Sequence, residues 1–330
     1  MASGWRSFLV LGTGLILAGA LVLILGWSRY TLPGPLDEPR TIVIPRGAGV
    51  TDIARQLWRA GVIAEPYSFQ FGSRVDDTAT RLRSGEYAFP PSISPRDAAA
   101  MLAAGRTVVR RITLAEGLTI FQILELVGAA EGLEGDIGER PGEGEFLPET
   151  YFYSWGDARR QIVARGRRAM SELLAELWSK RAADLPLRSP AEALTLASIV
   201  EKETSVAEER PRVAAVFLNR LRQNMKLQAD PTVIYGASQG RGVLDRPPSR
   251  ADLDSGHRWN TYVITGLPPT PIANPGRASL EAVLRPLASD ELYFVADGTG
   301  RHVFARTLNE HNRNVARLRE IERQRAGEAR

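Results

Sequence analysis

Two glutamates follow the apolar part of a predicted helix near the middle of this chain. The segment LASIVEKETS, residues 196–205, carries Glu201 and Glu203 after an apolar run. Positions two apart on an α-helix lie about 200° apart around its axis. The two carboxyl groups therefore cannot converge on one bond, and the spacing excludes a paired-carboxylate site made from them.

Glu203 alone has surroundings that could make it an acid. It lies over Leu196, Ile199 and Val200, on the side of the helix three and four residues back. It also falls in the last turn, where the helix dipole disfavours a negative charge. Both effects raise a carboxyl pKa, and a carboxyl group that holds its proton suits glycosidic bond cleavage. A merely polar end of a core helix gives the same pattern, so periodicity leaves both interpretations open.

Capping signals set the ends of this helix. Residues 189–192, SPAE, form a capping-box sequence with proline at the first helical position. Residues 205–208, SVAE, form a second one. We therefore predict that the first helix ends near Thr204 and that another begins at once. Its predicted apolar positions are Val213, Val216, Phe217 and Leu221.

The composition narrows the class of protein. The chain has 330 residues, a net charge of +4, no cysteine and three histidines. Disulfides and cysteine-ligated metals are excluded, and so few histidines do not favour a histidine-rich metal site. Basic residues are scattered without interleaved aromatics, so nucleic acid is not an expected partner. We expect no metal and no cofactor.

The N-terminal region predicts a membrane anchor. Residues 8–27 contain no charge, and twenty helical residues span about 30 Å, the thickness of a hydrocarbon core. The alternative is a cleaved signal peptide, because residues 18–20, AGA, resemble a cleavage site. The apolar run continues to Trp27, which favours an uncleaved anchor. Arg6 before the span and Arg29 after it give almost no bias in orientation.

The rest of the chain predicts an α+β fold in two domains behind the anchor. We assign residues 1–30 to a stub and transmembrane helix, 31–39 to a Pro-rich spacer that stands off the membrane, 40–115 to a small α+β domain and 116–330 to a mixed α+β domain. In the small domain, strands are predicted near residues 41–45, 85–89 and 106–114. A helix with Ile53, Leu57 and Trp58 on one face ends before Gly61, and a second helix runs from cap Ser94 through Pro95 and Asp97 to Gly105.

The second domain combines helices with turn-rich segments. A Gly/Glu-rich loop, residues 131–145, precedes a helix predicted over 157–183, and an Arg/Glu-rich, solvated and frayed helix ends the chain. The helix is expected to bury Ile162, Met170, Leu173, Leu174 and Leu177. Residues 227–236, 259–276 and 291–312 are rich in Asn, Tyr, Pro and Gly. Such loops suit sugars, although plain connections between short strands would look similar.

The chain resembles the endolytic murein transglycosylase MltG (YceG-like) family. The resemblance runs in family order over nearly all of the chain beyond the apolar span. It is carried by GEYAF, LAEGLTI, FLPETYFY, LASIVEKET, ERPRVAAVFLNRLRQNMKLQADPTVIYG, WNTYVITGLPPTPIANPG and LYFVADGTGRHVFARTLNEHN. It implies a single-pass inner-membrane protein with a LysM-like subdomain at 40–115 and a periplasmic catalytic domain. Peptidoglycan glycan strands are the implied substrate, and peptidoglycan synthases are candidate partners.

The resemblance also implies site residues. The family's catalytic glutamate falls on Glu203, which precedes Thr204 where other lytic transglycosylases have serine. The implied reaction cleaves the MurNAc–GlcNAc bond without water and leaves a 1,6-anhydroMurNAc end, with Glu203 as acid and then base. By motif position alone, the predicted substrate-binding residues are Gln228, Asp230, Asn260, Tyr262 and Asn274.

Departures from the family pattern are modest, and two other functions remain open. Residues 237–258 form a variable-looking stretch, and Trp259 stands where the family more often has tyrosine. One alternative is a membrane-anchored peptidoglycan-binding scaffold without catalysis. The other is a hydrolase with a water nucleophile, which needs a second carboxylate, and Asp230 is its candidate.

Overall fold

The computed structural model describes the backbone of residues 2–328 and the side chains of residues 11–325. The side chains of Arg6 and of residues 8–10, part of the predicted anchor, lie outside the described residues. So do Ala329 and Arg330 at the predicted frayed end. The chain has a mixed α+β architecture, as the sequence predicted.

Helices dominate the secondary structure. In chain order they are α1 (Ala2–Thr31), α2 (Val50–Arg59), α3 (Pro66–Val75), α4 (Pro95–Ala104), α5 (Ile120–Ala129), α6 (Arg159–Ser179), α7 (Pro190–Glu203), α8 (Arg210–Arg222), α9 (Asp230–Ala237), α10 (Arg250–Leu253), α11 (Arg277–Leu284) and α12 (Leu308–Glu328). The strands are β1 (Arg40–Ile44), β2 (Gly85–Phe89), β3 (Val109–Thr113), β4 (Thr150–Ser154), β5 (Tyr293–Ala296) and β6 (His302–Ala305), paired as β1–β2, β3–β4 and β5–β6.

Contacts within the chain define two compact units. Unit 1 comprises the chain up to Arg111 with Glu131–Glu134 and Phe152–Asp157. Unit 2 comprises Ile112–Ala130, Gly135–Tyr151 and the chain from Ala158 onward. No pattern in the sequence predicted that two short segments beyond residue 115 belong to unit 1. The functional division into a LysM-like and a catalytic domain stays a prediction.

Unit 1 is built on an antiparallel pair of strands. Ile42 on β1 lies opposite Tyr87 on β2, and both are buried. Helix α2 adds Ile53 and Leu57 to this core. Trp58, predicted to share their face, is instead 48% exposed, because five residues on a helix correspond to about 140° of net rotation.

The predicted helix after GEYAF is confirmed in detail. The Ser94 hydroxyl accepts a hydrogen bond from the Asp97 amide, and Pro95 occupies the first helical position. Gly105 ends α4 with φ of +66°, a conformation that costs other residues a steric penalty. Local capping chemistry thus fixes both ends of α4.

Helix α1 and the segment that follows it belong to unit 1. Residues Leu11–Thr31 are long and apolar enough to cross a membrane, and large side chains such as Leu15 and Ile16 are exposed. At its C-terminal end Tyr30 is buried. Residues 31–39, predicted as a spacer that stands off the membrane, pack against the rest of unit 1. Leu36 is buried there, and the Gly34 amide donates to the Ile93 carbonyl.

Helix α7 is the central element of unit 2. The Ser189 hydroxyl accepts from the Glu192 amide, so the predicted start is confirmed, although the Glu192 carboxylate accepts from Arg188 instead of closing the box. Every residue from Ala193 to Val200 is buried, and α7 packs against α8 and α11. A helix fixed on all sides holds its last residue in a defined place.

The second predicted capping box does not form. Helix α7 ends at Glu203, as expected, but a 3₁₀ turn over Ala207–Glu209 follows before α8. The hydroxyl that caps this connection belongs to Thr204, which accepts from the Val206 amide at 3.0 Å. The prediction for Ser205 was wrong because Thr204, in an extended conformation, offers the same hydroxyl one residue earlier.

Two other helices of unit 2 differ from their predictions. Helix α6 is shorter than predicted at both ends, and Leu174 on it is only partly buried. Helix α12 packs against β5 and β6, so its first turns are not a solvated terminus. This placement brings the start of α12 to the cleft described next.

Candidate active site

Glu203 lines a cleft in unit 2. Because Glu203 is the last residue of α7, the buried helix holds it while the chain turns away at Thr204. The cleft has a volume of about 520 Å³. Its lining includes Arg220, Gln228, Asp230, Tyr262, Tyr293 and His311. Three of the predicted substrate-binding residues, Gln228, Asp230 and Tyr262, therefore share a cleft with Glu203.

The cleft favours the protonated form of Glu203. Burial raises the pKa of its carboxyl to about 8, and the negative charge of Asp230 acts in the same direction. The positive charge of Arg220 opposes them. Among the described residues, no group forms a hydrogen bond with the Glu203 carboxyl. Glu203 therefore holds a proton near neutral pH and can give it to a bound molecule.

The side chain of Glu201, two residues before Glu203, is buried and contacts neighbouring segments of unit 2. Its side chain is 5% exposed, and its Oε2 accepts from the Gly276 amide at 2.9 Å. Its Oε1 lies 3.5 Å from a guanidinium nitrogen of Arg210. Glu201 therefore has a structural role, because its contact with Gly276 anchors the start of α11 and its contact with Arg210 reaches the start of α8. The two carboxylates of EKE face different partners, as the helical spacing required.

Asp230 and Tyr262 form a hydrogen-bonded pair in the cleft. The Tyr262 hydroxyl donates to Asp230 Oδ1 at 2.5 Å. Asp230 is the first residue of α9, where the helix dipole favours a carboxylate. Burial, with the nearby carboxylate of Asp230, raises the pKa of Tyr262. Tyr262 therefore stays a neutral donor and holds Asp230 in place.

Gln228 is held in an unusual backbone conformation. Its φ of +54° lies in the left-handed region, which is uncommon for residues other than glycine. The flanking residues Leu227 and Ala229 are buried, and the Gln228 amide donates to the Thr261 carbonyl. Its Oε1 accepts from Arg220 at 3.3 Å. Strain of this kind gathers at functional sites, where the surrounding structure maintains it.

Asn260 does not reach the cleft. It is fully buried, and its Nδ2 donates to the carbonyls of Asp252, Leu253 and Ser255. Its Oδ1 accepts from the Tyr262 amide at 2.9 Å. With every polar atom of its amide in use, Asn260 shapes the turn that presents Tyr262. Its position does not support the predicted contact with substrate.

Asn274 also lies away from the cleft lining. It is fully buried, and its Nδ2 donates to the Leu118 carbonyl and to Glu143. Its Oδ1 accepts from the Phe146 amide at 3.1 Å. Asn274 thus joins two loops of unit 2. The predicted binding role of Asn274 is likewise not supported by its position.

Arg220 is a cleft residue that the sequence analysis missed. It is 8% exposed and donates to the carbonyls of Leu292, Lys226 and Leu227. Burial lowers the pKa of its guanidinium, which still carries its charge. A sequence signal existed, because Arg220 follows Phe217 by three residues and so falls on the apolar face of α8.

Tyr293 and His311 were also missed. Tyr293 begins β5, and His311 lies in the first turn of α12. The Arg/Glu-rich composition of α12 indicated a surface helix. The spacing of Leu308, His311, Val315 and Leu318 marks a partly apolar stripe, which was the available signal.

The arrangement suits acid catalysis by one carboxyl group. Glu203 can act as the acid because its carboxyl lines the cleft and has a raised pKa, and Asp230 is a fixed charge in the same cleft. Among the side chains described, no group of three or more histidine, aspartate or glutamate residues is placed to hold a metal ion. The cleft thus offers proton transfer in a partly dry, polar setting.

Comparisons with known proteins place the chain in a family. The model of the YceG-like family matches residues 42–317. The chain belongs to the YceG-like family. It is 30% identical to the endolytic murein transglycosylase of Bacillus subtilis strain 168, over 91% of this chain and 90% of that protein.

Two further similar proteins support this family assignment. The endolytic murein transglycosylase of Streptococcus pneumoniae serotype 2 is 29% identical over 84% of this chain but only 58% of its own length. A crystal structure of a YceG-like protein from Listeria monocytogenes is 30% identical and covers 84% of this chain and 99% of its own, with a TM-score of 0.51.

Proposed function

We propose that this YceG-like chain is a lytic transglycosylase that cleaves the MurNAc–GlcNAc bond of peptidoglycan glycan strands. The relatives from Bacillus subtilis and Streptococcus pneumoniae are named as enzymes that act on murein. The observation that carries the proposal is the carboxyl group of Glu203, which lines a cleft and has its pKa raised to about 8, so that it holds a proton near neutral pH. A lytic transglycosylase needs one such group, since its nucleophile belongs to the substrate.

Glu203 serves first as acid and then as base. Protonated Glu203 donates its proton to the glycosidic oxygen while the bond from that oxygen to C1 of MurNAc breaks. The ionised carboxylate then takes the proton of the C6 hydroxyl of the same sugar. The C6 oxygen closes onto C1, which gives a 1,6-anhydroMurNAc end and restores protonated Glu203. No water enters the product.

The neighbours of Glu203 suit both steps. Burial and, to a smaller extent, the Asp230 carboxylate disfavour a negative charge on Glu203, so Glu203 starts protonated. The same carboxylate can stabilise the positive charge that develops at C1. Arg220 limits the rise of the Glu203 pKa, so that the ionised form is accessible when it must act as base.

The mass of the product tests this proposal. Purified full-length chain in detergent, incubated with peptidoglycan sacculi, is expected to release fragments with anhydro ends. An anhydro end is one water lighter than a reducing end, so mass spectrometry distinguishes the two. Reducing ends would indicate a hydrolase. Binding to sacculi without any new ends would indicate the non-catalytic scaffold.

Asp230→Asn separates the proposed reaction from hydrolysis. The asparagine keeps an acceptor for Tyr262 but removes the charge that, after burial, contributes to the raised pKa of Glu203. We expect activity to survive with a loss of about tenfold or less, and the basic limb of its pH profile to move to lower pH. A hydrolase that uses Asp230 as its base would lose nearly all activity at every pH. The measurement is the initial rate of fragment release between pH 5 and pH 9.

The anchor and unit 1 complete the proposal. Helix α1 would hold the chain in the inner membrane as a single span, with the catalytic unit in the periplasm. Residues 40–115, which include the β1–β2 pair and helices α2, α3 and α4, would form a LysM-like subdomain. An enzyme held beside the membrane could end nascent glycan strands during cell wall biogenesis, close to peptidoglycan synthases.

A further inference from the structure

Tyr293 and His311 form an aromatic wall of the Glu203 cleft. Their ring centroids lie 5.2 Å apart with planes inclined by 25°, so the rings are stacked. Both residues line the cleft, as does Leu308 at the start of α12. The Arg220 guanidinium lies over the Tyr293 ring at 5.2 Å. Two rings fixed by stacking and by a buried cation make a preformed surface.

The two nitrogens of His311 have different surroundings. Nδ1 is buried and has no hydrogen-bond partner among the described residues. Nε2 also lacks a partner there, but it is not sealed from solvent. A buried N–H without an acceptor is rarer in proteins than an under-satisfied acceptor. Nδ1 therefore carries the lone pair, and Nε2 carries the proton as a donor available to the cleft.

His311 stays neutral in this setting. A charged imidazole would place a second N–H at the buried Nδ1, where no acceptor lies. Burial, with the positive charge of Arg220, lowers the pKa of His311. The cleft wall thus combines an apolar face with one neutral N–H donor.

We infer that this wall binds the 2-acetamido group of an N-acetylhexosamine, with His311 Nε2–H donating to the acetamido carbonyl oxygen. The inference rests on the proposed function and specifies a subsite within it. A neutral donor beside an aromatic face fits an amide oxygen with a methyl group, which Leu308 can contact. An anionic ligand fits less well, because the carboxylate of Asp230 shares the cleft.

Binding of two neutral sugars tests the inference without catalysis. Chitotetraose carries 2-acetamido groups, whereas cellotetraose has hydroxyls in their place. Full-length Glu203→Gln in detergent, titrated calorimetrically, is expected to bind chitotetraose about tenfold more tightly, which is the worth of one well-placed hydrogen bond. Equal affinities for the two sugars, or no binding of chitotetraose, would overturn the inference.

A second substitution assigns the preference to His311. Adding His311→Phe keeps a stacked ring and removes the donor, so chitotetraose affinity should fall to the cellotetraose level while cellotetraose affinity stays unchanged. Arg317→Ala, on an exposed part of α12, is the matched control and should leave both affinities unchanged. If the preference persists in His311→Phe, another group recognises the acetamido substituent and the assignment is wrong. This binding test needs no turnover. Its failure can therefore be distinguished from failure of the proposed function, in which the wild-type chain would release no fragments with anhydro ends.

Discussion

Glu203→Gln is expected to lower the release of anhydro-ended fragments from sacculi by about 10³-fold or more. A positioned general acid contributes about 10²–10⁴-fold, and this residue is needed in both proton transfers of the proposed mechanism. Glutamine has nearly the same shape as a protonated glutamate, and among the described residues no group hydrogen-bonds to the Glu203 carboxyl. The variant should therefore fold normally. The measurement is the rate of fragment release, with the far-UV spectrum as the check on folding.

Glu201→Gln is the matched control for this experiment. It makes the same chemical change two residues earlier, at a carboxylate bonded to Gly276 and near Arg210. We expect it to keep activity within about tenfold of the wild type, because its amide oxygen can still accept from Gly276. Comparable losses in both variants would mean that the end of α7 matters as a structure and that Glu203 has no special chemistry.

The sequence predicted elements whose ends are set by local chemistry. Ser94 and Gly105 fix α4 with bonds to residues three or four away, so a short window contains all the information. The start of α7 at Pro190 follows the same rule. The connection after α7 was mispredicted because Thr204 and Ser205 offer equivalent hydroxyls, and tertiary packing decides between them.

The sequence predicted which segments lie at the candidate site better than it predicted which side chains line the cleft. The motif that contains Asn260 and Tyr262 does lie at the cleft, but only Tyr262 lines it. Asn260 stabilises the turn by donating to three backbone carbonyls. In the sequence, an asparagine with this role cannot be told from one that binds a sugar. His311 reaches the cleft through the packing of α12 on β5, a contact that no local pattern predicts.

The same carboxyl group should cost the protein stability as the pH rises. The pKa of Glu203 is about 8 in the folded chain against an ordinary value of 4.5. Between these values the folded state binds more protons than the unfolded state. The free energy of unfolding therefore falls as the pH rises from 4.5 towards 8. Below pH 4.5 the residue is protonated in both states and contributes no slope.

Glu203→Gln is therefore expected to stabilise the chain while it removes activity. Glutamine cannot ionise, so the variant should gain about 2 kcal/mol over the wild type near pH 8. This is less than the ceiling of about 5 kcal/mol, which follows from pKa values of about 8 and 4.5 at about 1.4 kcal/mol per pKa unit, because water in the cleft screens the charge. At pH 4.5 the two chains should melt together. Thermal melts of full-length chain in detergent at both pH values check this. Glu201→Gln, which loses its ion pair with Arg210, should gain nothing at either pH. A Glu203→Gln variant no more stable than wild type at pH 8 would mean that the carboxyl ionises freely in the cleft, and the acid role would lose its physical basis.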